Sequence, residues 1–289
     1  MKVKVYRINV FAKSIEGGNP AGVVLNADAL SKEDMKKIAS IVGFSETAFV
    51  MKSECADFKV RFFTPNEEVD LCGHATIGTY FTLLSQGHIK PGNYTQETKA
   101  GVLNVEVKED SSIMMNQAIP SFYEIINREE IADSLNISLA EMQEDLPVQI
   151  VSTGLKDIII PIKTMDILNS IKPNFKKIEE ISRKYNVIGY HIFTLESLYA
   201  STSHCRNFAP LYEIPEESAT GTSNGALGSY LFKYEKIDCH QAENIVFEQG
   251  YAMKKPSEIL VALTTEDKAI LEVKVGGRAM NLPSTEVEV

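Results

Sequence analysis

The chain has 289 residues, 44% apolar and 24% charged, a length that suggests two domains or one large one with ample material for packed cores. Its 29 Lys and Arg against 39 Asp and Glu give a net charge of −10, which argues against general nucleic-acid binding, where a basic surface is expected. No apolar run is long enough to span a membrane, and Met1 leads straight into Lys2-Val3-Lys4-Val5-Tyr6 without a signal-peptide pattern, so a cytoplasmic address is expected.

A strand is predicted from Lys2 to Phe11, then a loop over Glu16 to Gly22, where three glycines and a proline cluster. Val23 to Leu25 reads as a short buried strand. Ser31 and Asp34 form a capping-box pattern, and Met35, Ile38, Ala39 and Val42 share one face of the helix behind it, with Gly43 as the stop. Strands are expected at Thr47–Val50 and Phe58–Thr64, a helix from about Gly73 to Ser85, and strands near Gly101–Val107 and Ser112–Gln117.

The same order then recurs. Strands at Val148–Val151 and Ile158–Ile160 precede an amphipathic helix marked by Phe175, Ile178, Ile181 and Tyr185. Strands near Gly189–Leu195 and Ser203–Ala209, a helix over roughly Thr222–Tyr234, and strands at Asn244–Glu248, Ser257–Thr264 and Ala269–Val275 follow. The repeat is visible in residues. Arg61-Phe62-Phe63-Thr64-Pro65 precedes Cys72-Gly73-His74-Ala75-Thr76, and Arg206-Asn207-Phe208-Ala209-Pro210 precedes Ala219-Thr220-Gly221-Thr222. Many short strands with one small-residue helix per copy suggest an α+β architecture. A boundary is expected near Ile119-Pro120-Ser121. Each copy presents a helix N-terminus, and two such termini facing each other would bind an anion.

Glu46 leads the candidates for chemistry. In a water-poor cleft its neutral form would be favoured, letting it accept a proton and return it elsewhere; a solvated junction glutamate is the plain alternative. His74 at a helix start is expected to be neutral and to hydrogen-bond, or else only to satisfy a turn. Cys72 is either a thiolate base or a small buried hydrophobe. The second copy has Thr220 near its place, which argues against a symmetric two-thiol racemase. Amides of Gly73, Gly221 and Thr222 are candidates to hold a substrate carboxylate, and Glu216 or Glu217 could face His74. Cys55, Cys72, Cys205 and Cys239 form no CxxC pair, so free thiols and no metal are expected.

These motifs resemble the PhzF-like phenazine-biosynthesis family in order and spacing: Asn19-Pro20-Ala21-Gly22-Val23, Ser45-Glu46-Thr47-Ala48-Phe49, Cys72-Gly73-His74-Ala75-Thr76 and Ala219-Thr220-Gly221, with Gln249-Gly250, Lys255-Pro256-Ser257 and Val275-Gly276-Gly277 later. The resemblance covers nearly the whole chain. It implies a fold like diaminopimelate epimerase: two similar α+β domains, each a curved, mostly antiparallel sheet wrapped around a central helix, with the site between them. The expected domains are 1–118 plus about 277–289, and 119–276. The resemblance also implies homodimers, no cofactor, and an activity like the isomerisation of trans-2,3-dihydro-3-hydroxyanthranilate, in which a glutamate moves a proton between carbons. Glu46 matches that glutamate and His74 the family histidine, with Glu217 as their acidic partner and Ser45 beside the substrate. The family pattern is usually Glu-Asp-Pro-Ala-Thr-Gly. Here Glu216-Glu217-Ser218-Ala219-Thr220-Gly221 lengthens one acid and loses a rigid proline.

The resulting expectation is a metal-free isomerase of a small carboxylate-bearing metabolite. A Cys72-based racemase or epimerase, and a small-molecule binding protein that has lost catalysis, remain the alternatives.

Overall fold

A computed structural model describes residues 1–289. The chain forms two compact units, Met1–Asn116 with Gly276–Val289, and Gln117–Val275. The division falls after Asn116 rather than after Ala118.

The first unit begins with β1 (Lys2–Val10) and β2 (Asn19–Val24), an antiparallel pair. The expected loop over Glu16 to Gly22 is therefore half strand. Gly22 sits inside β2 because a neighbouring strand comes close: a Cβ there would lie 2.7 Å from Thr47 Oγ1, so the glycine marks a tight strand contact, not a turn. Helix α1 (Lys32–Val42) starts at the Ser31–Asp34 capping box and buries Met35, Ile38 and Ala39. Each of the two large side chains contributes roughly 1.5–3 kcal/mol by leaving water. They join Phe49 and Phe63 in one core cluster. Strand β3 (Glu46–Met51) runs parallel to β2, and β4 (Phe58–Phe63) antiparallel to β3. After the short β5 (Glu68–Val69), α2 (Gly73–Ser85) packs against β1, β2 and β3. Every residue of α2 from Ala75 to Tyr80 is buried, which is why its sequence lacks a polar face. Strands β6 (Gly92–Thr98), β7 (Gly101–Val107) and β8 (Ile113–Gln117) follow. The polar sequence of β6 does not predict a strand; it is held by a full antiparallel ladder with β7 and a parallel one with β4.

The second unit repeats this plan. Strand β9 (Ser121–Ile125) and α3 (Arg128–Leu135), neither evident from the sequence pattern, lead to β10 (Gln149–Ser152) and β11 (Lys156–Pro161). Helices α4 (Met165–Ser170) and α5 (Phe175–Tyr185) precede β12 (Gly189–Thr194), which is parallel to β11. Strand β13 (Ser203–Ala209) is antiparallel to β12 and to the short β14 (Ile214–Glu217). Helix α6 (Gly221–Lys233) packs against β10, β11, β12 and a later strand, β16 (Ser257–Glu266). The short α7 (Cys239–Ala242), β15 (Ile245–Gln249) and β17 (Ala269–Gly277) complete this stretch. Strand β18 (Ala279–Glu288) then pairs antiparallel with β1, back in the first unit.

The two plans correspond pair for pair. Glu46 opens the β2–β3 ladder opposite Ala21, and Gly189 opens the β11–β12 ladder opposite Asp157. The repeated arginine also has one role. Arg61 makes a two-pronged bond to Glu68 at 2.7 and 3.0 Å, and Arg206 makes the same fork to Glu216 at 2.9 Å on both prongs. Each fork ties a strand to the short hairpin before the central helix. The Arg61 fork, aided by Lys99, pulls the buried Glu68 carboxyl down to about 2.

Candidate functional site

In the first unit, Ser45, Glu46, Cys72 and His74 come together. Glu46 is the first residue of β3, and Gly73 and His74 open α2 behind the N-cap Cys72. Cys72 makes no side-chain cap bond, and the amides of the first helical turn have no intrahelical acceptor. The imidazole of His74 lies between two groups. Its Nδ1 is 3.4 Å from Cys72 Sγ, and its Nε2 is 3.3 Å from Glu46 Oε2 and 3.5 Å from Ser45 Oγ. The approach of Nε2 to Glu46 is off hydrogen-bond alignment, and Oε2 is buried with no hydrogen-bond partner. Such an oxygen is costly to leave unpaired.

Burial pushes the His74 pKa below its ordinary 6.5, against the opposing pull of Glu46. The ring is thus held neutral, carrying one proton. The ligand atoms of Glu46, Cys72 and His74 lie within 4.8 Å of one another, so the donor types suit a soft divalent metal. The sulfur lies nearer Nδ1 and the carboxylate nearer Nε2 of the ring.

In the second unit, Glu217, Thr220, Gly221 and Thr222 form one turn at the start of α6. The two adjacent glutamates are separated in role. Glu216 is engaged by Arg206, while Glu217 Oε2 accepts a 2.8 Å bond from Thr220 Oγ1. Thr220 is the N-cap of α6, yet its hydroxyl serves Glu217 and not the helix. The first-turn amides of Gly221 and Thr222 are left without a side-chain cap, a disposition suited to an anion. A separate cavity of about 950 Å³ opens elsewhere on this unit, among Phe122, Phe232, Ile237 and Ile270. It contains none of these residues.

Sequence reasoning missed the supports beneath the turn. Gln249, Asn224 and His191 are fully buried and hydrogen-bonded to one another or to the turn, and the buried Asp157 accepts a bond from Ser223, the next residue of the helix. Gln249-Gly250 is visible as a motif but not as a support, because its partner lies 29 residues earlier in the chain.

Two similar α+β units, each with a small-residue helix starting at a cluster of acid and hydroxyl groups, define the diaminopimelate epimerase-like class of fold. Residues 8–284 match the model of the phenazine biosynthesis-like protein family, and the chain belongs to that family. It is 36% identical over 299 residues to an uncharacterized isomerase of Clostridium acetobutylicum, covering 99% of this chain and 98% of that protein. A solved PhzF-family phenazine biosynthesis protein of Bacillus anthracis is similar with a TM-score of 0.90 and 32% identity, covering all of both chains. The trans-2,3-dihydro-3-hydroxyanthranilate isomerase of Pseudomonas chlororaphis is 26% identical over 280 residues, 94% of this chain and 95% of that enzyme.

Proposed function

We propose that this protein is a cofactor-independent isomerase that moves a proton between two carbons of a small carboxylate-bearing metabolite. One observation carries the reading: the buried Oε2 of Glu46, without a hydrogen bond and 3.3 Å from His74 Nε2. A carboxylate so placed takes a proton from one carbon and, as the electron pair shifts through the substrate's unsaturation, returns the same proton at another. No net charge or atom is lost. If the Cys72 thiol donates to Nδ1, the His74 proton sits on Nε2, where Ser45 Oγ is its hydrogen-bond partner and Glu46 lies 3.3 Å away, near enough to be steadied by a small turn of either side chain. Cys72 then orients the ring and is not the base. Within each unit the amides that open the central helix, that of Gly73 in the first and those of Gly221 and Thr222 beside Glu217 in the second, suit a carboxylate, which helix-terminal dipoles attract despite the chain's net charge of −10.

The corresponding position in the second unit argues against a pair of opposed bases. Gly189 stands where the ladder would place a second glutamate, and a Cβ there would overlap the Phe208 carbonyl oxygen. Thr220 stands where the second thiol would be. A single shuttling acid–base fits this asymmetry better than two-base racemisation.

The test uses trans-2,3-dihydro-3-hydroxyanthranilate and related unsaturated carboxylic acids, followed by proton NMR. Glu46→Gln should lower turnover by about 10²- to 10⁴-fold, the usual contribution of one general acid–base group, with the thermal midpoint unchanged. A folded Glu46→Gln protein with undiminished turnover would refute the proposal.

A further inference from the structure

The side chains under the α6 turn make a chain of hydrogen bonds whose direction can be worked out from the backbone. Gln249 Oε1 faces the Thr220 N–H at 3.2 Å, and Gln249 Nε2 faces the Glu217 carbonyl at 2.9 Å. A backbone N–H only donates and a carbonyl only accepts, so the glutamine amide has one permitted orientation. Asn224 is fixed in the same way, because its Nδ2 donates to the Thr220 carbonyl at 2.8 Å. Its Oδ1 therefore faces His191 Nε2 at 3.2 Å, and that nitrogen must carry hydrogen. The other ring nitrogen, Nδ1, lies 3.2 Å from Asn207 Nδ2. Burial drives the His191 pKa down to about 4, so the ring is neutral and Nδ1 accepts.

Every link then points one way. Asn207 donates to His191, His191 to Asn224, and Asn224 to Gln249 Oε1 at 2.8 Å. Gln249 Nε2 donates to Thr220 Oγ1 at 3.0 Å, and Thr220 donates to Glu217 Oε2 at 2.8 Å. A hydroxyl has one proton. With Gln249 filling an acceptor site of Thr220, that proton is directed to the carboxylate. All the links before Glu217 except the turn residue Thr220 are buried, so water does not compete for them.

We propose that Gln249, and behind it Asn224 and His191, are positioning residues that turn the Thr220 hydroxyl onto Glu217 and so hold this carboxylate in one rotamer as a hydrogen-bond acceptor. The inference rests on the reading of Glu217 as a site residue. It assigns the late Gln-Gly motif a task in the site, and it accounts for a polar core under an otherwise apolar helix. Amide links do not relay protons readily, so the chain orients and polarises; it does not conduct.

The test is carried out by NMR on the full-length, isotopically labelled protein without any substrate. The ¹⁵N shifts of His191 should show the neutral ring protonated at Nε2. The ¹³Cδ titration of Glu217 should move up in Thr220→Val, as expected for losing a hydrogen bond to the charged form. Gln249→Met should move it in the same direction, and the double variant should move it no further than Thr220→Val alone. If Gln249→Met does not fold, the Gln249 side-chain amide of the unaltered protein is read instead: its two Nε2 protons, held by the Glu217 carbonyl and Thr220 Oγ1, should exchange slowly with solvent, and a freely exchanging amide would overturn the proposal. A His191 ring protonated at Nδ1, an unmoved Glu217 in Thr220→Val, or full additivity in the double variant would each overturn the proposal. Turnover retained by Glu217→Gln would instead overturn the reading of Glu217 as a site residue. The two failures are distinguishable because the titration needs no substrate.

Discussion

Asp157 should make the stability of the second unit depend on pH in a direction opposite to that of a salt-bridged carboxylate. It is 1% exposed, and Oδ2 accepts a 2.6 Å bond from Ser223 Oγ. Burial raises its pKa from 3.8 to about 7, although the Ser223 bond and the Gly189 amide pull the other way. The folded state therefore holds this proton more tightly than the unfolded chain does. The contribution is fully present below about pH 3.8 and is lost as pH rises through 7. A shift of about three units, at about 1.4 kcal/mol each, amounts to on the order of 4 kcal/mol. Asp157→Asn is neutral throughout, so its stability relative to the parent should rise by roughly that amount between about pH 4 and pH 7 and then level off. Glu68 and Asp110, both held down to about 2, give the opposite slope at acid pH, but in both proteins alike. Urea unfolding read on the amides of β11 and β12 by hydrogen exchange, repeated from about pH 4 to 8, measures the difference. A stability difference that does not change with pH would refute the assignment of a buried, proton-holding Asp157.

Other expectations concern the site and its frame. Cys72→Ser should keep much of the turnover, because a hydroxyl can also donate to His74 Nδ1; complete loss in a folded protein would point to a thiol base. Since burial lowers the His74 pKa from 6.5, the acid limb of kcat/KM due to this ring should lie below that pH, and a limb above 6.5 assigned to His74 by its ¹⁵N titration would contradict the neutral ring. Gly189→Ala should destabilise the protein by about 1–3 kcal/mol or more, as overpacking does, because the added methyl meets the Phe208 carbonyl oxygen; an unchanged urea midpoint would refute the close approach.

Much of the fold is legible in the sequence because its signals are local. The Ser31–Asp34 box and the spacing of Met35, Ile38 and Ala39 define α1 without reference to anything distant. The all-round apolar character of Gly73–Ser85 announces a buried helix. What is not legible depends on partners far along the chain. Strand β6 looks like a polar loop until β4 and β7 bracket it. Pro20 and Gly22 read as part of a loop until Thr47 explains the missing side chain. The candidate site divides in the same way. Glu46 and His74 stand out through ordered motifs, whereas the division of labour between Glu216 and Glu217 depends on Arg206 and Thr220 choosing one each. His191 and Gln249 carry no local sign of their task, because the partner of each, Asn224 for His191 and Thr220 for Gln249, lies on another element far along the chain.

The pairing of β18 with β1 bears on how the chain is made. The first unit is written in two pieces, with the whole of the second inserted between them. During synthesis the second unit is contiguous and can close as soon as β17 has emerged. The first must wait, with one edge of β1 unpaired, until residues 279–288 arrive to cover it. An uncovered edge strand is a template for pairing with other chains. Losing β18 would therefore leave the Glu46 and His74 side chains unaltered in sequence, yet place them on a sheet prone to joining its neighbours.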